Sequence, residues 1–500
     1  MKDFLYGKIQ LNIKNLSFRI VKKKNNTLSL QFSNLIFLFA IIFSLLIFFY
    51  SAYKLQDPHA FQTTKFYIMC LIISSFLSVL FFWVIIKLNN DLKLNLSITL
   101  IIVFFSFYIF ETYLFFSNLK SYRQNPDKQF SESIIKAARD KGINYDTRTK
   151  LEVLKDLEIS GETVYPNLIP EFFRETNGLG EENNKIFPLG GIANTKVILP
   201  NELGYFPIYE TDKYGFKNPS QAYNKDGLDI VLIGDSFTEG SSVHQNKNIA
   251  EILRNFNYNV INLGMAGNGP LIELATLKEY AKQLKPKIIL WMFCSNDLEN
   301  LKYEMSSSIL KKYLEDDNYS QNLILKQNEI NILLKNFIKK EKKIKSTTKE
   351  VNNNYIRIFS DFFNIIKLSN IRVLLKINLQ FTEKRILPLK EPFKEIIKNA
   401  KKTTSDWGGK MYFVYIPRSL VVIEQKRVES LRNFVLNTNK ELNIDIIDLE
   451  NDLLNDHPDP LSLIPFRTRG HFNEKGYFLI AETIHNRIKN DGYISIKFKN

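Results

Sequence analysis

The sequence predicts a doubly wound α/β domain, built on a parallel five-stranded sheet, behind three membrane-spanning helices. Three observations carry this. Five short apolar runs, rich in branched and aromatic residues, recur in the second half of the chain and suit strands buried on both faces. Stretches of helical periodicity separate them, and strands alternating with helices argue a parallel sheet. Before residue 120 lie three longer apolar runs, each near the roughly 20 residues a helix needs to span a hydrocarbon core.

The spans come first. Residues 34–50 (NLIFLFAIIFSLLIFFY) and 66–86 (FYIMCLIISSFLSVLFFWVII) carry no charge, and residues 96–116 (LSITLIIVFFSFYIFETYLFF) carry only Glu111. A signal peptide is a poor reading of the first run, since about 30 residues precede it and no small-residue cleavage site comes after it. Lys2, Lys8, Lys14, Arg19, Lys22, Lys23 and Lys24 crowd the N-terminus, against Lys54 and Lys65 in the first loop and Lys87 and Lys93 in the second. The positive-inside rule therefore puts residues 1–32 in the cytoplasm. Three crossings then put everything after about residue 118 on the far side. In a bacterium that is a multi-pass inner-membrane protein with a periplasmic or extracytoplasmic domain. Glu111 reads as an interfacial residue near its span end, because one acid does not make an ion pathway.

Bulk composition adds exclusions. The formal net charge is +15, but the lysines are scattered among Asn and Ile. With no zinc spacing and no RNP-like aromatic motif, nucleic acid is not an expected partner. The two cysteines, Cys70 and Cys294, lie in a span and at a strand end, so no intrachain disulfide is expected and the fold rests on its core. The residues beyond the spans, roughly 380, are enough to bury a large one.

The expected strands are 228–233, 258–263, 287–293, 410–417 and 444–449, with helices at about 247–256, 270–284, 422–440 and 474–490. In the last helix Tyr477, Ile480, Ala481, Ile484 and Ile488 share one face. The chain then divides into the cytoplasmic N-terminus (1–32), three transmembrane helices (33–118), a linker and irregular α/β lead-in (119–225), the sheet domain in two pieces (226–297 and 401–492) and a helical insertion (298–400). The run KKEKKIKSTTKEVNNN within the insertion reads as a solvated helix end and loop.

In an open parallel sheet, ligands bind beyond the carboxyl ends of the strands. The residues just past each strand are therefore informative. Gly234, Asp235 and Ser236 come after the first (IVLIGDSFTEG); Gly264, Gly267 and Gly269 after the second (VINLGMAGNGP); Asn296 and Asp297 after the third (CSND). His471 lies near the chain end in RTRGHFNEKGY. A serine hydroxyl needs a base to become a nucleophile, and a histidine titrates in the range that lets it accept and return that proton. An acyl-transfer intermediate needs preorganised donors for its oxyanion. The backbone N–H groups of Ser236 and Gly267 and the Asn296 amide are candidates, with Gly234 and Asp235 shaping the supporting loop. No metal and no organic cofactor is called for.

These four blocks, in this order, resemble the SGNH (GDSL-type) hydrolase superfamily over roughly residues 226–490. The resemblance implies a flavodoxin-like SGNH hydrolase fold, with Ser236 as nucleophile, His471 as base and Ser236, Gly267 and Asn296 forming the oxyanion hole. Two segments of the lead-in, PLGGIANTK and NELGYFPIYETDKYGF, are similar to membrane-anchored SGNH proteins associated with bacterial surface polysaccharides. They imply a cell-surface polysaccharide or other O-acylated glycan as substrate and the lipid bilayer as partner. The expected reaction is hydrolysis of O-acyl groups, foremost O-acetyl. The alternatives are O-acetyl transfer by the same Ser–His site, or a non-catalytic glycan-binding or assembly protein that kept the fold.

Two positions depart from that family. Cys294 stands where the third block usually begins with Gly. The family's acid, two or three residues before the base, is replaced by Arg469 and Thr468. Asp459 or Asp456 is then the candidate acid to orient His471; otherwise the pair works as a dyad. Arg467 and Arg469 would disfavour a protonated His471, or hold an anionic substrate. Among the other histidines, His457 is the rival base, while His59, His244 and His485 read as surface residues. Asp297 reads as a loop or cap residue, Cys294 as a neighbour of the oxyanion loop, and Tyr205, Phe206 and Tyr209 as packing.

Overall fold

The computed structural model describes residues 2–56, 64–122, 126–223, 227–347, 365–366, 368–374, 387–417, 425–467 and 470–493. The chain forms two compact units, one of residues 1–125 and 350–388, the other of residues 126–349 and 389–500.

The first unit is helical. Helices α1 (Lys2–Gln56), α2 (Thr64–Lys87) and α3 (Asn90–Tyr122) contain apolar windows at Leu28–Leu55, Phe66–Lys87 and Asn90–Ser117, each long and apolar enough to cross a membrane. A helix satisfies its own backbone polar groups, which a bilayer core cannot. Small polar residues let α1 and α3 approach, with the Ser97 hydroxyl donating to Ser33 at 3.3 Å. Phe37 and Phe81 pack α1 against α2 at 6.0 Å. Glu111 is fully buried. Its carboxylate accepts from the backbone N–H groups of Asn370 and Ile371, both at 2.9 Å. It thus caps a short helix, Ser369–Leu374, supplied by the middle of the insertion.

The second unit is built on the expected sheet. Its strands are β4 (Ile230–Gly234), β5 (Val260–Asn262), β6 (Ile288–Cys294), β7 (Lys410–Ile416) and β8 (Asp445–Asp448), all parallel, in the order β5-β4-β6-β7-β8. That is the flavodoxin-like order, with its switch point between β4 and β6. Every residue of β4 and β6 is buried, because helices cover both faces. Each fully buried Ile, Leu or Val contributes about 1.5–3 kcal/mol. The Glu474–Asn490 helix turns Tyr477, Ile480, Ala481, Ile484 and Ile488 into the core.

The lead-in packs as part of this unit rather than as a linker. Short strands β1 (Val164–Pro166), β2 (Lys196–Ile198) and β3 (Ile208–Glu210) form a separate mixed sheet. Phe173, Phe187, Leu189, Leu199 and Phe216 are buried here. The insertion is shared: residues 298–349 and 389–400 lie with the sheet, and 350–388 with the spans.

Candidate active site

Strand β4 ends at Gly234 because nothing larger fits there. A Cβ at this position would clash with Thr238 Oγ1 and lie 2.7 Å from the Met292 carbonyl oxygen. The chain then turns into a single helical turn, Ser236–Glu239, with Asp235 at its N-cap accepting from the Phe237 N–H at 2.9 Å. This cap leaves Ser236 at the start of the helix, partly accessible, while Asp235 is fully buried. The second Asp235 oxygen accepts from Asn296 Nδ2 at 2.9 Å and lies 3.4 Å from Ser236 Oγ. Asp235 thereby fixes the Asn296 amide beside Ser236 with one of its two hydrogens used and the other left for a ligand.

The second-block loop is tied to the same strand end. Met265 N–H and Asn268 Nδ2 both donate to the Gly234 carbonyl, at 3.2 and 3.3 Å. Gly267 has φ +76°, a conformation that suits glycine. The loop on either side of it is pinned by buried charge. Glu239 accepts from the Ala266 N–H at 3.1 Å, and the Arg174 guanidinium donates to the Gly267 carbonyl. Glu304, fully buried, accepts from the N–H groups of Gly269 at 2.6 Å and Leu271 at 2.9 Å and faces Arg174 at 3.9 Å. Burial outweighs the attraction of Arg174 and pushes its carboxyl up to about 7. Asp297 begins the Asp297–Glu304 helix and accepts from the Cys294 N–H at 2.7 Å. Cys294 is fully buried at the end of β6, which removes it as an accessible nucleophile.

His471 reaches the site on the loop before the last helix. The Ser242 hydroxyl donates to the Phe472 carbonyl at 2.7 Å, and Asn473 caps the helix through Gly476 N–H at 3.0 Å. The ring packs on Phe237 at 4.7 Å. Its Nε2 lies 2.7 Å from Ser236 Oγ.

Its Nδ1 faces a carboxylate that sequence reasoning missed: Glu202 Oε1, at 2.8 Å. The other Glu202 oxygen accepts from the His471 backbone N–H at 2.9 Å. Glu202 sits in the loop after β2, which Asn201 holds by accepting from Gly204 N–H at 2.8 Å and donating to the Asp146 carbonyl at 2.9 Å. Gly470 makes room for it: a Cβ there would meet Glu202 Oε2 at 2.8 Å. A carboxylate on Nδ1 holds the ring proton there and leaves Nε2 as the acceptor for the serine proton. Burial alone would lower the His471 pKa, but the Glu202 carboxylate outweighs it, so the pKa is raised. Glu202 responds in the opposite sense: burial would raise its pKa, and His471 brings it below the usual carboxylate value.

This geometry corrects the expectation for the orienting acid. Asp459 is taken by Arg467, with Arg467 Nη1 and Nη2 donating to its two oxygens at 2.5 and 2.8 Å. Asp456 is exposed, and the carboxylate on the His471 ring is neither of them. Between them and His471, Phe466 and Arg467 both have positive φ, at 50° and 60°, with Phe466 buried against Ile134 and Ala138. Arg467 is thus occupied by Asp459; Thr468 and Arg469 lie outside the described residues.

The remaining histidines have local partners. His457 Nδ1 accepts from the Asp459 N–H at 3.0 Å. His485 stacks on Phe256 at 4.4 Å, and its Nδ1 lies 3.1 Å from the Tyr258 hydroxyl. His244 stacks on Tyr205 at 4.4 Å. His59 lies outside the described residues. The Tyr209 hydroxyl donates to Glu239 at 3.3 Å within the interior, while Tyr205 and Phe206 are half-buried. Among the described residues, no group of three or more His, Cys, Asp or Glu side chains is arranged to hold a metal ion.

A search of the curated proteins found no match. Among solved structures, the chain is similar to the lipase/acylhydrolase from Enterococcus faecalis, at 16% identity and TM-score 0.31, over 54% of this chain and 100% of that one. It is also similar to a lipolytic protein of the G-D-S-L family from Desulfitobacterium hafniense, at 14% identity and TM-score 0.30, over 52% and 99%. An acetylxylan esterase from Geobacillus stearothermophilus aligns at 12% identity and TM-score 0.29, over 55% and 98%. The model of the GDSL-like lipase/acylhydrolase family matches residues 230–484. That stretch runs from β4 through most of the last helix and takes in Ser236, Gly267, Asn296 and His471. By that match the chain belongs to the GDSL-like lipase/acylhydrolase family, serine hydrolases of ester bonds.

Proposed function

We propose that this protein is a membrane-anchored serine esterase that removes O-acyl groups, foremost O-acetyl, from a cell-surface polysaccharide. The observation that carries the chemistry is the hydrogen-bonded line Ser236 Oγ–His471 Nε2 at 2.7 Å and His471 Nδ1–Glu202 Oε1 at 2.8 Å. In this reading Ser236 Oγ attacks the ester carbonyl while His471 takes its proton. The Ser236 N–H, the Gly267 N–H and the free Asn296 hydrogen hold the oxyanion. Collapse breaks the ester C–O bond, and His471 protonates the departing sugar alkoxide. Water, deprotonated by the same His471, then releases the acid and restores Ser236. Glu202 stays ionised throughout and stabilises the imidazolium.

The substrate class rests on the likeness of PLGGIANTK and NELGYFPIYETDKYGF to polysaccharide-associated membrane proteins, and on the rim of the site. Glu171 sets its carboxylate against the place a Gly267 Cβ would occupy, and its side chain is 46% exposed. A carboxylate there repels anionic acyl groups and accepts from sugar hydroxyls. The positive-inside pattern supports a cytoplasmic N-terminus and an extracytoplasmic hydrolase. Transfer to a sugar hydroxyl instead of water is the second reading, since the acyl-enzyme is common to both. The non-catalytic reading drew on the missing acid, and Glu202 speaks against it. The test is acetate release from O-acetylated polysaccharide by the full-length protein in detergent. Release lost in Ser236→Ala supports the esterase. Acetyl transfer to a deacetylated acceptor without free acetate would replace it with the transferase. Neither product from any acylated glycan would overturn both.

A further inference from the structure

We propose that the insertion segment carrying the Ser369–Leu374 helix is seated among the lipid acyl chains, with Glu111 as its anchor. The proposal rests on α1, α2 and α3 crossing a bilayer and is independent of the enzymatic reading. Depth is the first argument. The apolar window of α3 ends at Ser117. At 1.5 Å per residue, Glu111 lies about 9 Å and Tyr108 about 13 Å inside that end. Glu111 is fully buried, and a carboxylate at that depth is costly unless paired. Its partners come from the insertion: Oε1 accepts from Asn370 N–H at 2.9 Å and Asn370 Nδ2 at 2.8 Å, and Oε2 from Ile371 N–H at 2.9 Å. These backbone donors belong to the first turn of the helix, which has no intrahelical acceptor for them. The Tyr108 hydroxyl donates to the Ile366 carbonyl at 3.2 Å.

Surface chemistry is the second argument. On this segment Ile366 and Leu374 are 45% and 60% exposed. They continue the apolar exterior of α3, where Phe104, Phe105 and Phe107 are also exposed. A water-facing segment would carry polar side chains in those places. Non-helical backbone at membrane depth is tolerated when protein shields it, and Glu111 and Tyr108 supply that shielding.

The test uses the full-length protein with Cys70→Ser, reconstituted into vesicles of phosphatidylethanolamine and phosphatidylglycerol. Cys294 is fully buried and stays. Single cysteines at Ile366, Leu374 and, as a water-exposed control, Ile159 (85% exposed) carry a bimane fluorophore. At Ile366 and Leu374, quenching by nitroxide-labelled acyl chains is expected to be strong, and quenching by iodide several-fold weaker than at Ile159. Equal iodide quenching at all three would overturn the proposal. Glu111→Leu is expected to raise iodide quenching at Ile366 several-fold. Glu111→Gln keeps one acceptor oxygen but turns an amide hydrogen toward a donor, and an intermediate rise is expected; it serves if the leucine variant does not fold. No change in either variant would overturn the anchoring role of Glu111.

Discussion

Replacing Glu202 with Gln changes one atom and should remove most of the activity. The carboxylate accepts two N–H groups, His471 Nδ1–H at 2.8 Å and His471 N–H at 2.9 Å. A glutamine can accept only one. The backbone N–H cannot change, so the amide oxygen goes to it, and the amide NH2 faces Nδ1. The ring proton then moves to Nε2, the atom that must accept from Ser236. Two losses result. A hydrogen bond to a charged group contributes about 1.5–3 kcal/mol. Unit charges 2.8 Å apart attract by about 6 kcal/mol at an effective dielectric of 20, less the screening expected for side chains 20% and 24% exposed. A net loss of about 3–5 kcal/mol in the transition state corresponds to a kcat lower by about 10²–10⁴. The assay is p-nitrophenyl acetate turnover by full-length protein, normalised to folded enzyme, with Asp459→Asn beside it. Asp459 is tied to Arg467, so that variant should stay within about twofold of wild type, as surface pairs contribute little. Glu202→Gln activity within threefold of wild type, or an equal loss in Asp459→Asn, would refute the reasoning.

Four further outcomes are expected. Activity should fall on the acid side as His471 takes a proton. Because Glu202 raises its pKa, half-loss should come above the ordinary 6.5, and Glu202→Gln should move that limb to lower pH in a kcat/KM profile. Arg174→Gln releases the Gly267 carbonyl, and kcat should drop about 10- to 100-fold with KM nearly unchanged, because an oxyanion donor acts mainly in the transition state. Gly267→Ala puts a Cβ against Glu171 at positive φ, so thermal unfolding should come earlier by the equivalent of about 1–3 kcal/mol, along with lost turnover. Gly470→Ala crowds Glu202 at 2.8 Å and should mimic Glu202→Gln in kcat; wild-type turnover in this variant would contradict the placement of that loop.

The sheet was legible because β4, β6 and β7 are buried on both faces and so read as unbroken apolar runs. Positions around the site were legible for a related reason: Gly234 ends β4, and Ser236, Gly267 and Asn296 lie just past strand ends, where parallel sheets open. Glu202 was not. It lies 269 residues from His471 in sequence, in a loop whose neighbouring strands are three residues long, and nothing local distinguishes it among 52 acidic residues. The one available signal was negative, a base preceded by Thr468 and Arg469 where an acid was due. That vacancy pointed to a nearby substitute, Asp459, when the substitute is distant in sequence. The lead-in looked irregular because its three strands are too short to show alternation, and its burial comes from loops folding on the sheet unit. The partners of Glu111 were not legible, because Asn370 and Ile371 lie 259 and 260 residues away in an insertion with no local signal pointing to α3.

The central claim is that Ser236 is an activated nucleophile. Full-length protein treated with a fluorophosphonate probe and digested for mass spectrometry tests it directly. The expected result is a phosphonyl adduct on the peptide containing Ser236, absent in Ser236→Ala and formed much more slowly in His471→Ala and Glu202→Gln. Folded wild-type protein that forms no adduct, or an adduct that persists in Ser236→Ala, would contradict it.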